Sequence, residues 1–385
     1  MATRELRRLS PPTFEQAASE LAAAAEAREA VRICGGGTKL GWGNLGSEPA
    51  LELNTSGLDR ILEHNVGDFT ALIEVGVPLS RLQEALAAEG QMLALDPPLG
   101  ADGQDATIGG VFATADSGPL RHRYGGPRDL VLGVTVALSD GTIARAGSKV
   151  IKNVAGYDLG KLFTGSFGTL GLILSVCVRL HPLPALYATA FAATPDPATL
   201  GAAARALAGA PLELQALDIA WRAGRGGMLA RCAGAAAGRR AQRIATLMRQ
   251  HGLEEADVTE DDAGLWARQR VGQRSGGGRA VVLVAAPPRA LDDVIRAVQG
   301  AGGTLVGRAA LGISFIEVDP DALDALLGRL PPDATAVLQD APGEVRASRD
   351  AWGGVSEPAL ELMRRIKMRF DPAGVCNPGV FVGGI

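Results

Sequence analysis

Clusters of glycine interleaved with hydroxyl side chains carry the clearest chemistry in this sequence. Gly35-Gly36-Gly37-Thr38 directly follows the short run Val31-Arg32-Ile33-Cys34. Successive glycines let main-chain N–H groups converge into a nest for an anion, the usual cradle for a pyrophosphate. An ordinary glycine-rich turn is the other reading of this cluster taken alone. Spacing excludes two familiar nucleotide loops. The dinucleotide fingerprint G-x-G-x-x-G must open a helix, whereas Gly35, Gly37 and Gly41 miss that spacing and Asn44, Gly46, Ser47 and Pro49 continue as loop. The run Gly156-Tyr157-Asp158-Leu159-Gly160-Lys161-Leu162 is one residue short of a Walker loop, with Leu162 where a metal-binding hydroxyl is needed. Further clusters are Thr107-Ile108-Gly109-Gly110, Ser117-Gly118, Arg123-Tyr124-Gly125, Lys152-Asn153-Val154-Ala155-Gly156-Tyr157-Asp158 and Gly165-Ser166-Phe167-Gly168-Thr169-Leu170-Gly171. Such a series within one domain points to an extended ligand buried along its length; separate turns would not need so many.

Other chemistries find less support. Cys34, Cys177, Cys232 and Cys376 form no C-x-x-C pair, which leaves zinc ribbons and cysteine-ligated iron–sulfur clusters without a basis. Scattered cysteines suit a reducing compartment. His64, His122, His181 and His251 form neither H-x-H nor H-E-x-x-H, so no histidine-built metal site is expected. His181, just before Pro182, reads as structural. Arg222, Arg225, Arg268, Arg270 and Arg274 supply cations that could hold a carboxylate, or a solvated basic face. Tyr157 offers a phenol to a ligand or to packing.

The elements that must position these groups follow from pattern. Glycine, 51 of 385 residues, stands well above the usual share of about 7%, which predicts many tight turns and close backbone approaches. Strands are predicted at 31–34, 50–53 and 69–75, and helices at 13–30 and 78–89, the latter from Leu79, Leu82, Ala85 and Leu86 on one face. The stretch 96–128 is so rich in Gly and Pro that it reads as loop, and a loop of that length inside a domain is usually functional. A hairpin follows at 130–146, then a short helix at 158–163 and a buried strand at 170–180. From His181-Pro182-Leu183-Pro184 the texture changes to α+β, with helices near 198–208, 238–251, 288–301 and 320–330 and strands near 187–193, 214–221, 280–286 and 312–318. Ser275-Gly276-Gly277-Gly278 reads as a flexible link. An amphipathic helix over 357–368 precedes a glycine-and-proline return. The expected domains are therefore 1–184, a cap at 185–341 and a C-terminal segment at 342–385 that returns to the first.

Charge narrows the partners. Lys and Arg number 38 against 42 Asp and Glu, a net charge of −4, so nothing draws in nucleic acid. The longest apolar runs, at 170–178 and 280–286, are far short of the ~20 residues of a transmembrane helix. The charged start, Met1 to Arg8, is followed by no apolar signal core. A cytoplasmic chain is expected.

The ordered motifs Gly35-Gly36-Gly37-Thr38, Thr107-Ile108-Gly109-Gly110, Arg123-Tyr124-Gly125, Arg128-Asp129, 152–159 and 165–171, with Phe370-Asp371-Pro372 and Asn377-Pro378-Gly379, together resemble the PCMH-type (vanillyl-alcohol oxidase) FAD family. Within it they are similar to the FAD-binding subunits of glycolate oxidase complexes. The resemblance is strong over 31–184 and 368–379 and weak between. It implies an α+β chain: a PCMH-type FAD-binding domain of two α/β subdomains plus an α+β cap domain. It also implies roles. Gly35, Gly36, Gly37, Thr38 and Lys39 would hold the FAD pyrophosphate, and Thr107, Gly109 and Gly110 would lie along its ADP part. Ser117 and Gly118 would approach the flavin or ribityl side, and Gly165, Gly168, Thr169 and Ile173 would line the adenine or flavin edge. The first loop carries Lys39 and no His, which implies noncovalent FAD. The implied reaction is oxidation of a 2-hydroxy acid, glycolate to glyoxylate. Arg268, Arg270, Tyr157 and Asn377 are the catalytic candidates, and no residue stands out as the base. Trp266-Ala267-Arg268-Gln269-Arg270 resembles a stretch of the same subunits.

Departures from the family pattern also matter. The histidine-rich metal site and Gly-Asp-Gly-Asn loop of related catalytic subunits are absent, Asp116 replaces the common Asn or small residue, and Val380 replaces Lys or Arg. With no cysteine cluster to relay electrons, the implied partners are a second flavoprotein subunit and an iron–sulfur subunit, through which the chain would lie peripheral to the inner membrane. A free-standing FAD oxidase or dehydrogenase of another alcohol, and a flavin-binding subunit without its own catalysis, are the alternatives.

Overall fold

Thr13 opens the first helix with extended backbone and an Oγ1 that accepts from the Gln16 N–H at 3.2 Å, the standard way to satisfy an orphan donor. The computed structural model describes residues 6–100, 105–149, 158–275 and 277–385. Helix α1 (Phe14–Glu26) buries Ala17, Ala18, Leu21 and Ala24, an apolar stripe at helical spacing. It stops short of the predicted residue 30 because Arg28 turns left-handed (φ 53°), which delivers Val31, fully buried, into a sheet.

The described chain divides into two compact units. The first comprises residues up to Ser117, Gly125–Leu183 and Gly354–Ile385. It holds a parallel sheet of β1 (Arg7–Leu9), β2 (Val31–Cys34) and β3 (Leu51–Asn54), ordered β1-β3-β2, with Val31 opposite Leu51 and Cys34 opposite Asn54. Its second sheet is antiparallel: β4 (Ile61–Asn65), β5 (Thr70–Glu74), β7 (Val131–Ala137), β8 (Ile143–Gly147) and β9 (Leu172–Arg179), ordered β4-β5-β9-β7-β8. β9 takes the centre because all but its last residue are apolar or small and buried. A two-residue ladder joins β6 (Gln91–Met92) to β10 (His181–Pro182), which gives His181 the structural place expected of it. Helix α2 (Leu79–Ala87) buries Leu79, Leu82 and Leu86.

The stretch expected to be loop contains α3 (Ile108–Thr114), α4 (Arg121–Tyr124) and α5 (Pro127–Leu130). Gly109 and Gly110 hide α3 from any propensity argument. Its warrant is tertiary: Ile108, Val111 and Phe112 are fully buried. A five-residue helix, α6 (Leu159–Phe163), is capped by the Asp158 carboxylate.

The second unit comprises Gly118–Tyr124 and Pro184–Gly353. Its eight strands, β11 (Tyr187–Thr194), β12 (Ala216–Arg222), β13 (Arg225–Ala233), β14 (Glu254–Thr259), β15 (Ala280–Ala285), β16 (Thr304–Arg308), β17 (Ile313–Val318) and β18 (Thr335–Asp340), pair antiparallel throughout, ordered β14-β11-β13-β12-β16-β17-β15-β18. Leu217, Ile219 and Trp221 of β12 join a core that includes residues of α7 (Pro197–Gly209), α8 (Ala237–Gln250) and α10 (Leu291–Gly300). The alternate β12 residue Asp218 meets α9 (Ala263–Val271) through Gln269, as a two-residue side-chain period requires. Of the expected link, Gly276 lies outside the described residues. Among the described residues no helix is long and apolar enough to cross a membrane.

Candidate functional site

The first glycine cluster leaves the end of β2 and packs on the loop that leads into α3. A Cβ at Gly35 would stand 2.1 Å from Thr107 Oγ1, and one at Gly36 would stand 2.0 Å from the Asp105 carbonyl oxygen. Neither position has room for a side chain, so the bare glycine backbone packs against the Thr107 hydroxyl and the Asp105 carbonyl. Gly37 is glycine for a different reason, a left-handed φ of 73°. Asn54 Nδ2 donates to the Gly35 carbonyl at 3.3 Å and holds the start of the loop to β3. Among the described residues, the amides of Gly36, Gly37 and Thr38 donate to no protein acceptor. Three consecutive amides without an acceptor are the chemistry of an anion nest.

The second cluster works otherwise. The Gly109 amide donates to the Val75 carbonyl at 2.7 Å, and that of Gly110 to Thr107 Oγ1 at 3.3 Å. A Cβ at Gly109 would stand 2.8 Å from that of Val75. These glycines seat α3 against the end of β5, with their N–H groups already engaged.

The cluster at 165–169 docks on the same helix: the Gly165 amide donates to the Phe112 carbonyl at 3.0 Å and the Phe167 amide to the Ala113 carbonyl at 2.8 Å. Gly165, Phe167 and Gly168 all adopt positive φ. Asn377 ties this loop to β2. Its Oδ1 accepts from the Ile33 amide at 2.7 Å, and its Nδ2 donates to the Phe167 carbonyl at 2.6 Å. Through these two bonds Asn377 positions the loop against β2. Lys367, from the C-terminal helix Glu357–Phe370, adds a second tie. Its ammonium donates to the Thr169 carbonyl at 2.7 Å, to Asp371 Oδ2 at 2.7 Å and to the Cys376 carbonyl at 3.0 Å. Burial pushes the Asp371 carboxyl up, but the Lys367 hydrogen bond and charge and the Cys376 amide outweigh it and leave its pKa below the ordinary value.

A buried ion pair borders the nest. Lys39 Nζ lies 3.4 Å from Asp116 Oδ2 and donates to Thr38 Oγ1 at 3.2 Å. Cys34, just ahead of the nest, has its thiol pushed up to about 11, mainly by burial and then by Glu52, so it stays neutral. Ser117 is buried beside Asp116, and Ile173 is buried on β9 opposite Val136. The first unit thus gathers Gly35–Lys39, Thr107–Gly110, Ser117, Gly165–Thr169 and Asn377 around α3 and β2.

The remaining expected residues lie elsewhere. Gly118 folds with the second unit, and Tyr157 lies outside the described residues. Arg268 and Arg270 sit on α9, the former exposed and the latter half-buried. That helix is held by Trp266 Nε1 donating to Thr189 Oγ1 at 2.8 Å, by Thr189 donating to Asp262 at 2.7 Å and by a bidentate Arg231–Asp262 pair at 2.9 and 3.0 Å. Pattern reading missed Lys367 with Asp371 and the partnership of Lys39 with Asp116. The first was visible as an i,i+4 charge pair at the end of a predicted helix; the second joins residues far apart in sequence and left no signal. Among the described residues no group of His, Cys, Asp or Glu could hold a metal ion.

Comparison with known proteins agrees with this geometry. Residues 8–147 match the family described as FAD binding domain, and residues 354–381 match the C-terminal domain of FAD linked oxidases. The chain is 39% identical over 124 residues to the glycolate oxidase subunit GlcE of Escherichia coli, covering 32% of this chain and 35% of that protein. It is 29% identical to bovine mitochondrial D-2-hydroxyglutarate dehydrogenase, over 96% of this chain and 75% of that protein. The match spans only 30–38% of the length of the first four curated relatives, two glycolate oxidase subunits and two D-lactate dehydrogenases. A solved structure of alkyldihydroxyacetonephosphate synthase shares the fold, with a TM-score of 0.71 at 15% identity, over 96% of this chain and 76% of that one. The residues fit the cofactor these matches name, because three unengaged amides in a row, with no room for side chains at Gly35 and Gly36, suit a dinucleotide diphosphate. The matched segments, 8–147 and 354–381, are those of FAD-linked oxidoreductases and are consistent with the PCMH-type FAD family.

Proposed function

We propose that the chain is the FAD-binding subunit of a glycolate-oxidising complex, converting a 2-hydroxy acid to the 2-oxo acid and passing two electrons to partner subunits. The observation that carries this reading is the open amide row of Gly36, Gly37 and Thr38, clamped by α3 and Asn377. In it the diphosphate of FAD is held by Gly36–Lys39, while Gly165–Thr169 and Ser117 line the rest of the cofactor. Bound FAD supplies the acceptor for the hydride leaving the substrate Cα. The chain's share is to fix that acceptor and exclude water, with Arg268 and Arg270 as the cations offered to the substrate carboxylate. The hydroxyl proton goes to a base. Stored electrons must leave, and the absence of cysteine pairs in the sequence favours an iron–sulfur subunit and a second flavoprotein as the receivers, with the chain at the inner membrane through them.

A second reading, a free-standing 2-hydroxy-acid dehydrogenase, draws on the near full-length likeness to D-2-hydroxyglutarate dehydrogenase. Anaerobic mixing of the purified yellow protein with glycolate and with D-2-hydroxyglutarate separates them. Bleaching by glycolate only when the partner subunits are added supports the first reading. Rapid bleaching by the isolated chain with either acid supports the second, and a protein that cannot be reconstituted with FAD removes both.

A further inference from the structure

The first glycine loop is met by both ends of one short helix. Thr107, at the start of α3, lies against Gly35. Asp116 follows the left-handed Ala115 that ends α3, with its amide returned to the Val111 carbonyl at 3.1 Å. Its carboxylate reaches Lys39 at 3.4 Å, and the side chains of Lys39 and Asp116 are only 6% and 3% exposed. A carboxylate beside a site built for a doubly charged diphosphate opposes the ligand. It is tolerable only with a cation next to it, and Lys39 is that cation, pinned to the Thr38 hydroxyl at 3.2 Å immediately after the unengaged amides. A buried ion pair adds little net stability against a neutral replacement, because desolvation of both charges offsets their attraction. Its place at the rim of the nest therefore calls for another account.

We propose that Asp116 is an affinity-setting positioning residue of the FAD site: it holds the Lys39 ammonium at the end of the Gly36–Thr38 amide row and offsets part of its charge, so that the diphosphate is bound less tightly than the bare cation would bind it. The proposal rests on the reading that this row takes the FAD diphosphate, and it adds to that reading a residue whose removal strengthens binding.

The test is titration of the full-length chain, stripped of flavin, with FAD, ADP and riboflavin at low and high salt. Asp116→Asn should tighten FAD and ADP about tenfold and leave uncharged riboflavin unchanged, and because the charges are buried the gain should persist at high salt. Lys39→Met removes the cation beside the buried Asp116 carboxylate and is expected to fold poorly. The neutral pair Lys39→Met with Asp116→Asn supplies the folded comparison, and it should bind FAD and ADP at least tenfold more weakly than Asp116→Asn alone. ADP binding no tighter in Asp116→Asn than in the parent chain overturns the proposal, as does an equal shift for riboflavin. A parent chain that binds neither FAD nor ADP sinks the cofactor reading and this inference together.

Discussion

A methyl group at Gly36 would lie 2.0 Å from a backbone oxygen, that of Asp105, whereas one at Gly110 would find nothing nearer than Thr107 Oγ1 at 3.5 Å. The two residues look alike in the sequence and should respond oppositely to alanine. Gly36→Ala must push the first loop off the α3 segment. It should lower stability by about 1–3 kcal/mol and abolish retention of FAD through purification. Gly110→Ala, inside a helix and at no strained φ, should be neutral or stabilising by up to about 1 kcal/mol. Urea denaturation of both variants, with the flavin absorbance of each preparation, checks the pair. Equal losses would mean that the glycines share one role. The clusters were legible as glycine-rich loops, but the division of labour among them was not. It depends on which carbonyl each amide faces, and the Val75 oxygen that takes the Gly109 amide lies on a segment no local pattern connects to it.

At the scale of elements, what could be read was what buries a periodic face. α2 shows its leucines at helical spacing, and β9 is a near-continuous apolar run. What escaped was held by pairing instead. β13 begins Arg225-Gly226-Gly227, turn residues by composition. Yet Gly226 must be glycine because a Cβ would meet the Trp221 ring at 2.2 Å on the neighbouring strand. The C-terminal helix was legible as amphipathic, but its only buried residue is a lysine. Lys367 reaches from that helix to the loop at Thr169 and to the return segment at Cys376, so one ammonium locks three pieces of chain. Lys367→Met keeps the stem's packing and removes the charge. It leaves Asp371 buried without its cation, a loss of about 3–5 kcal/mol. Because Thr169 belongs to the loop expected to line the cofactor, FAD should weaken in the same variant. Lys367→Met combined with Asp371→Asn should recover much of the stability without restoring the tie to Thr169. Thermal unfolding and FAD titration of the single and double variants read the two effects separately.

At the scale of the whole molecule, the two units carry buried carboxylates whose proton affinities move in opposite directions. Asp371, in the first unit, sits below the ordinary carboxylate value because Lys367 and backbone amides outweigh its burial. Asp218, in the second, is raised to about 6, because desolvation at a fully buried position outweighs Arg308 at 3.5 Å and the Gln269 hydrogen bond. The signs follow from which state holds the proton. The unfolded chain binds a proton at Asp371 before the folded one does. Its contribution is therefore intact above the ordinary value of 3.8 and is lost only as pH falls below that, through the folded value. Folded Asp218 takes its proton first, so the second unit is stabilised as pH falls from about 6 toward 3.8 and loses that stabilisation as pH rises again. Trp221, Trp266 and Trp352 all belong to the second unit and Trp42 alone to the first, so tryptophan-detected urea unfolding reports mainly on the unit that holds Asp218. Going from pH 7 to pH 5, the parent chain should gain about 1.4 kcal/mol relative to Asp218→Asn. A parent chain that tracks Asp218→Asn at both pH values would mean that the Arg308 guanidinium keeps Asp218 ionised throughout. The α9 helix, held to Asp218 through Gln269 at 3.2 Å, would then rest on a permanent charge pair instead of one that titrates.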